Sequence, residues 1–344
     1  MTIREFLSVW TARFRESDIP SARLDAEIIL LFSLQNFAKN GDDFSRSFLF
    51  AHDDFVLPKR VLKRAKKFAK IREKRVPIAQ IFREKEFYRR TFFVNKNVLI
   101  PRPETEEIIE LSRNFLNENF NNFARKPNAI FAKNDPKNLH ENDEKSVQKS
   151  DAKALEIGAG SSIISVTLAL EFPDKIREIF AVDISRKALK VSRKNARKFD
   201  LNFAKNPGKS ARHFGQNFAK IERKNSRKSD VKIRFAKSDL LKKVDEKYDL
   251  IVANLPYVAR IWQTEKTSPE LKKEPEIALF ASDNGNALNK KLVQQISRKN
   301  TLADGGILIL EMDPEQRDEI STFAKKYGFR EIVRKPYHLV FAKK

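Results

Sequence analysis

The sequence predicts a two-part α/β protein: a small helical bundle followed by a Rossmann-like, mostly parallel seven-stranded sheet with an antiparallel edge hairpin. Three observations carry this. The first eighty or so residues repeat their apolar positions with helical period. From Lys153 onward, short apolar runs of strand length alternate with helical stretches, the pattern of a parallel sheet covered on both faces. The last two runs are separated only by Pro336-Tyr337, which leaves room for an antiparallel turn and not for a crossover.

Taken in order, "IREFLSVWTARF" places Phe6, Leu7, Trp10 and Phe14 on one face of a first helix. "PSARLDAEIILLFSL" opens a second at Pro20-Ser21. "PKRVLKRAKKFAKIREKR" sets Val61, Leu62, Ala65, Phe68, Ala69 and Ile71 against basic positions in a third. In "EFYRRTFFVNKNVLIP" aromatic and β-branched residues flank Asn95-Lys96-Asn97, the signal of a β-hairpin. "PRPETEEIIELSRNFL" returns to helix, with Pro103 near its start and acids in the first turn. The seven strands are read at "KALEIG", "EIFAVDIS", "VKIRFAKSD", "YDLIVANL", "GGILILEM", "REIVRKP" and "HLVFAK". The expected organisation is a helical domain over 1–85, a hairpin linker over 86–100, and the sheet domain over 101–344. Two Asn-, Lys- and Ser-rich segments without periodicity, 117–150 and 202–230, read as surface insertions or disordered loops. A Phe-Ala-Lys tripeptide recurs from Phe37 to Phe341 with no fixed period, which excludes a solenoid; nothing in the sequence explains it.

At 344 residues and 41% hydrophobic content the chain can bury a sizeable core. No apolar run reaches the roughly 18 residues of a membrane span, and the charged start lacks a secretory h-region. The absence of cysteine removes disulfides, thiolate metal sites and Cys nucleophiles together, and the four histidines show no metal-ligand spacing. These features point to the cytoplasm, with no metal and no membrane partner. The net charge of +23 is concentrated: Lys59 to Arg75 carries ten basic residues against Glu73 alone, and Phe203 to Ser229 eight against Glu222. Such blocks suit solvated faces, and also weak contact with a nucleic acid.

Chemistry collects at strand ends. In "ALEIGAGSS" a strand closes at Glu156-Ile157, and Gly158, Ala159, Gly160, Ser161 and Ser162 turn the chain into a helix whose first N–H groups are free. The next strand ends in "AVDIS", where Asp183 can hold both hydroxyls of a ribose. A third acid, Asp239, is followed by Leu240. Each acid alone fits a helix N-cap; three strand ends on one sheet edge fit an adenosine cofactor better. The fourth strand delivers Asn254-Leu255-Pro256-Tyr257 to the same edge. The Asn254 side-chain oxygen and the Leu255 carbonyl can each accept one N–H of a substrate NH₂ group. Pro256 fixes the backbone and Tyr257 offers a flat apolar ring. An amide or the exocyclic amine of adenine could be held this way.

In this order, "IGAGSS", "AVDIS", "KSDLL" and "VANLPYV" resemble a class I S-adenosylmethionine-dependent methyltransferase. "VPIAQIFREKEFYRRTFFVNKNVLIPRPETEEIIEL", "EPEIALFASDNG" and "IPSARLDAEIILL" resemble the release-factor glutamine methyltransferases (the PrmC/HemK family) over nearly the whole chain apart from the insertions. The resemblance implies a seven-stranded methyltransferase domain, a helical substrate-recognition domain, the cofactor S-adenosyl-L-methionine, and class I peptide-chain release factors as substrate, methylated on the glutamine of their Gly-Gly-Gln motif. It assigns Gly158 to Ser162, Asp183, Asp239, Leu240 and Asn254 to the cofactor, and Asn254 to Tyr257 to catalysis and the glutamine. Arg102, Pro103 and Glu104 would line the approach. A monomer is the default. The departures are Leu255 where the family has proline, Glu156 for aspartate, Ser162 for a third glycine, and Arg83 and Arg90 where glycine is frequent. Asn-Leu-Pro-Tyr is also the form of ribosomal-RNA adenine dimethyltransferases, so an adenine-N6 methyltransferase is the alternative. A catalytically inactive partner-binding protein is a third reading.

Overall fold

The computed structural model describes residues 1–37, 44–117, 151–201, 230–260 and 268–344. The chain divides into two compact units, Met1–Arg83 with Ser268–Lys273, and Glu84–Thr267 with Glu274–Lys344. Among the described residues no helix is long and apolar enough to cross a membrane.

The first unit is helical. Helix Ile3–Glu16 starts at a capping box between Thr2 and Glu5 and buries Phe6, Leu7, Trp10 and Phe14. They pack with Ala26, Ile29 and Leu30 of helix Ala22–Gln35 and with Val61, Ala65 and Ala69 of helix Lys59–Arg72. The predicted apolar faces thus form one core, and the lysines of the third helix stay outside it. The distant segment Ser268–Lys273 is held to this unit by charge. Arg72, buried against Asp25 at 2.6 Å, also meets Glu270 at 2.8 Å, and Arg75 reaches Glu270 at 2.6 Å. Burial opposes ionisation of Glu270, but the two guanidiniums outweigh it and bring its pKa down to about 2.

The second unit opens with a hairpin, β1 (Glu84–Phe87) and β2 (Arg90–Phe93), whose turn is Tyr88-Arg89 and not Asn95-Lys96-Asn97. Tyr88 and Arg89 both have positive φ, 48° and 59°, the backbone of a tight primed turn that sequence composition associates with Asn-Gly. The glycine-like positions are therefore Arg83 (φ 62°) and Arg89; Arg90 lies in β2, one residue late. Asn95-Lys96-Asn97 forms a separate bend in which the Asn95 side-chain oxygen accepts the Asn97 N–H at 2.9 Å.

All seven predicted strands are present: β3 (Ala152–Ile157), β4 (Ile176–Asp183), β5 (Lys232–Lys237), β6 (Tyr248–Ala253), β9 (Leu302–Glu311), β10 (Phe329–Arg334) and β11 (His338–Lys343), with a small pair, β7 (Val258–Ala259) and β8 (Phe280–Ala281), between β6 and β9. They form one sheet in the order β10-β11-β9-β6-β3-β4-β5, with β11 antiparallel to both its neighbours and the remaining pairs parallel. Alternate residues feed two cores. Leu250 and Val252 of β6 pack on one face, and Ile251 and Ala253 on the other. Burial on both faces is why the strands read as unbroken apolar runs. The same Phe-Ala-Lys tripeptide serves in a helix at Phe68 and Phe323 and in a strand at Phe235 and Phe341, so surroundings and not the tripeptide set its conformation. The two predicted insertions lie outside the described residues, apart from Asn117 and Asp230 at their ends.

Candidate active site

Register assembles the site. Ile157 of β3 pairs with Val182 of β4 and with Ala253 of β6, so the next residues, Gly158, Asp183 and Asn254, leave the sheet at one level of its carboxyl edge. Ala253 in turn pairs with Leu310 of β9, which brings Glu311 to the level of Asn254. A cleft of about 240 Å³ opens there. Gly158, Ala159, Gly160, Ser161, Asp183, Asp239, Leu240, Asn254, Leu255 and Pro256 all line it, together with Thr105 and Glu156.

The turn after β3 is made of backbone. Gly158 has φ +74°, and a Cβ there would stand 2.9 Å from the Leu255 Cδ2. Asp183 spans this turn: one carboxylate oxygen accepts the Gly160 N–H at 2.8 Å and the other the Ser185 N–H at 2.6 Å. Burial raises its pKa, and those two donors oppose the rise. Each oxygen keeps a lone pair for a further donor in the cleft. Glu156 lies beneath, 2% exposed, with the Ser165 hydroxyl and N–H as donors and, among the described residues, no cation paired with it. Burial pushes its pKa up to about 8. Asp239 differs: Lys242 at 2.9 Å and Lys291 at 3.3 Å hold its carboxyl below the usual range.

The loop after β6 is made of side chains. The Asn254 amide nitrogen donates to the Thr105 hydroxyl at 3.2 Å. That assignment turns the Asn254 carbonyl oxygen the other way as an acceptor. Thr105 is 2% exposed, in the 3₁₀ turn Pro103–Glu106. Tyr257 is fixed at two points. Gln316 donates to its carbonyl at 2.7 Å, and its hydroxyl donates to Glu311 at 3.4 Å. Behind it, His338 is fully buried between Glu107 at 3.2 Å and Glu311 at 3.4 Å. Burial lowers the basicity of His338, but the two carboxylates outweigh it and raise its pKa.

Five expected site residues stand off the cleft wall. Ser162 is wholly buried at the start of helix Ile163–Glu171 with φ 54°, in the place of a glycine that would serve the turn and not a ligand. Tyr257 faces Glu311 instead of the cleft. Arg102 is drawn to Glu274 at 2.6 Å, and Glu274 also accepts the Ile100 N–H at 2.7 Å, so the acid and arginine brace the segment that leads to Thr105. Pro103 and Glu104 are exposed at the helix start. Thr105, Glu311, Gln316 and His338 were missed. Only Thr105 had a signal, since it sits inside "PRPETE".

Comparison with known proteins bears on the family. The family model described as the PrmC N-terminal domain matches residues 5–82. A bifunctional methyltransferase of Rickettsia bellii is 28% identical over 329 residues, 95% of this chain and 51% of the relative. A release factor glutamine methyltransferase of Flavobacterium psychrophilum is 30% identical over 261 residues, 75% of this chain and 70% of the relative. Another, of Dictyoglomus turgidum, is 29% identical over 333 residues, covering 94% of this chain and 90% of that one. The chain spans about half the length of the bifunctional relatives.

Proposed function

The chain belongs to the release factor glutamine methyltransferase family, and from that premise we propose that it transfers a methyl group from S-adenosyl-L-methionine to the side-chain amide nitrogen of the glutamine in the Gly-Gly-Gln motif of class I peptide-chain release factors, in the cytoplasm. The observation that carries this reading is the pairing of Asn254 with Thr105, which leaves an amide oxygen as acceptor at the end of a glycine-walled cleft.

The residues present fit the cofactor. Gly158 keeps its turn open where a Cβ would fill it, and Asp183 has unused acceptor capacity beside it. S-adenosyl-L-methionine, when bound, supplies an electrophilic methyl group. Gly158 to Ser161 would hold its methionine part, Asp183 its ribose hydroxyls, and Leu240 with Asp239 would border its adenine. The protein's remaining task is to position a poor nucleophile, because an amide nitrogen shares its lone pair with its carbonyl. Asn254 through its side-chain oxygen and Leu255 through its carbonyl would accept the two N–H bonds of the substrate NH₂. Pro256 holds the backbone of that pair, and Tyr257, anchored by Gln316 and Glu311, supports it from behind. Orientation carries most of the rate in such a scheme. The Leu255 departure keeps the carbonyl that the scheme needs. The helical unit would contribute recognition of the release factor.

The test is transfer of labelled methyl to purified release factor, beside a Gln→Ala variant of its Gly-Gly-Gln motif and bulk ribosomal RNA. Label on the wild-type factor alone is expected. Label on RNA would move the clamp to adenine, the use that Asn-Leu-Pro-Tyr also permits. No label, with cofactor bound, would favour a partner-binding protein without turnover.

A further inference from the structure

Next to the cleft lies a second groove, of about 460 Å³, between the Asn95–Asn97 bend and helix Arg186–Lys198. Asn97 lines both, so the groove runs on from the cleft mouth. It is a built feature. The buried Asn195 side chain accepts the Phe93 N–H at 2.8 Å and donates to the Phe93 carbonyl at 3.0 Å, tying β2 to the helix. The same amide donates to Ser161 O at 2.9 Å, which links the groove wall to the cofactor turn.

The walls are cationic. Lys96, Lys187, Lys190 and Lys194 line the groove, and the Lys194 ammonium sits 3.2 Å from the centre of the Phe93 ring. The exposed residues of the helix are Arg186, Lys187, Lys190, Lys194, Arg197 and Lys198, every one basic, and the helix has no acid at any position. Among the described residues, Lys96, Lys187 and Lys190 form no ion pair. Arg186 and Lys187 stand in the first turn, where the helix dipole favours acids, so this placement costs the helix stability. Helix formation therefore does not explain these charges. A ligand that the charges meet would.

We propose that this groove binds the phosphate backbone of single-stranded RNA. Lysine is depleted at protein–protein interfaces, whereas nucleic-acid interfaces are strongly positive. Lysine point charges are a common means of holding phosphate and do not need the bidentate geometry of arginine. A groove between two elements takes a chain and not a planar bilayer. The choice of RNA over other phosphate polymers rests on the proposed role in translation; the lysine wall itself does not.

The experiment is fluorescence anisotropy of a labelled single-stranded RNA oligonucleotide against the full chain, over a range of salt, with no methyl transfer involved. Two variants are compared after their folds are checked by circular dichroism: Lys96→Gln/Lys187→Gln/Lys190→Gln in the groove, and Lys63→Gln/Lys67→Gln/Lys70→Gln on the first unit, which removes the same charge from another exposed basic helix. The groove variant is expected to weaken binding at least tenfold and to reduce the slope of log K against log salt by about two, at roughly 0.7 per phosphate contact. The control should retain most of the affinity. Equal loss in both variants would reduce the binding to diffuse net charge and overturn the proposal. So would absence of binding at low salt, or equal affinity for a polyglutamate competitor. A failed methyl-transfer assay with this result intact would count against the proposed function and leave the groove standing.

Discussion

The turns after β3 and β6 leave neighbouring parallel strands at the same level, and they make opposite use of side chains. The β3 turn gives a ligand room by leaving side chains out, with Gly158 and Gly160 at φ +74° and +52°. The β6 turn has no glycine and presents Asn254, Leu255 and Pro256 to the same cleft. The two are coupled, because Leu255 Cδ2 lies where a Cβ on Gly158 would come within 2.9 Å. One loop can carry bulk because its neighbour carries none. The division predicts that damage to the first loop weakens cofactor binding, and damage to the second slows turnover.

Asn254→Ala breaks the second loop alone. It removes the proposed acceptor, and a loss of about 10²–10³ in kcat is expected, as for removal of one positioned donor in other sites. Cofactor affinity by calorimetry should stay within a few-fold. A parallel loss of affinity would put Asn254 among the cofactor contacts and erase the contrast. Thr105 sharpens it further. Thr105→Val keeps the shape but frees the Asn254 amide to flip, so kcat should fall about tenfold with KM little changed, and Thr105→Ser should restore it.

Gly158→Ala is the matching lesion in the first loop. A left-handed Ala costs about 1–2 kcal/mol, and its Cβ must displace Leu255. Cofactor affinity is expected to drop roughly tenfold, with kcat at saturating cofactor changed less. Adding Leu255→Ala should recover the steric part and leave the backbone part, a coupling that a double-mutant cycle measures directly.

Glu156 extends the contrast to pH. Its folded pKa of about 8 lies above the ordinary 4.5, so the folded state holds a proton that the unfolded chain has released between those values. Stability therefore falls as pH rises through that window, by up to about 1.4 kcal/mol per pH unit. Urea titrations of wild type and Glu156→Gln at pH 5 and 8 isolate the effect. Wild type should lose stability relative to the variant, and a flat difference would mean that the carboxylate is ionised in the fold.

What could be read from the sequence divides along similar lines. The strands, their order of motifs and the acids at their ends were legible because apolar runs and strand-end residues are local signals. Thr105 and Asn254 meet across 149 positions, and no local pattern records such a contact. Glu311 and His338 meet through the register of β9 with β11, which only folding reveals. The hairpin turn was misplaced because composition marks turns by Asn and Gly, and the chain has Asn95-Lys96-Asn97 nearby while its true turn is Tyr88-Arg89. Ser162 carries a second signal that the motif does not separate from a ligand contact. Its motif position suggested a ligand contact, but its φ of 54° shows a backbone requirement that glycine would normally meet.

Arg89 offers the smallest and cleanest test of that last point. With nine glycines in 344 residues, the chain sets arginine at both Arg83 and Arg89, where φ is 62° and 59°. A non-glycine residue is strained there, and Arg89 is exposed, so its side chain offers little packing in return. Against this, glycine loses more conformational entropy on folding, which offsets roughly 0.5–1 kcal/mol of the relief. Arg89→Gly should therefore stabilise the chain by no more than about 1 kcal/mol in thermal or urea unfolding, with methyl transfer unchanged. Arg90→Gly, in the strand beside it, should destabilise by a similar amount, since it loses the Arg90–Glu171 pair at 2.7 Å and gains strand entropy to lose. Opposite signs at adjacent arginines would establish that the turn, and not the charge, decides which position wants glycine.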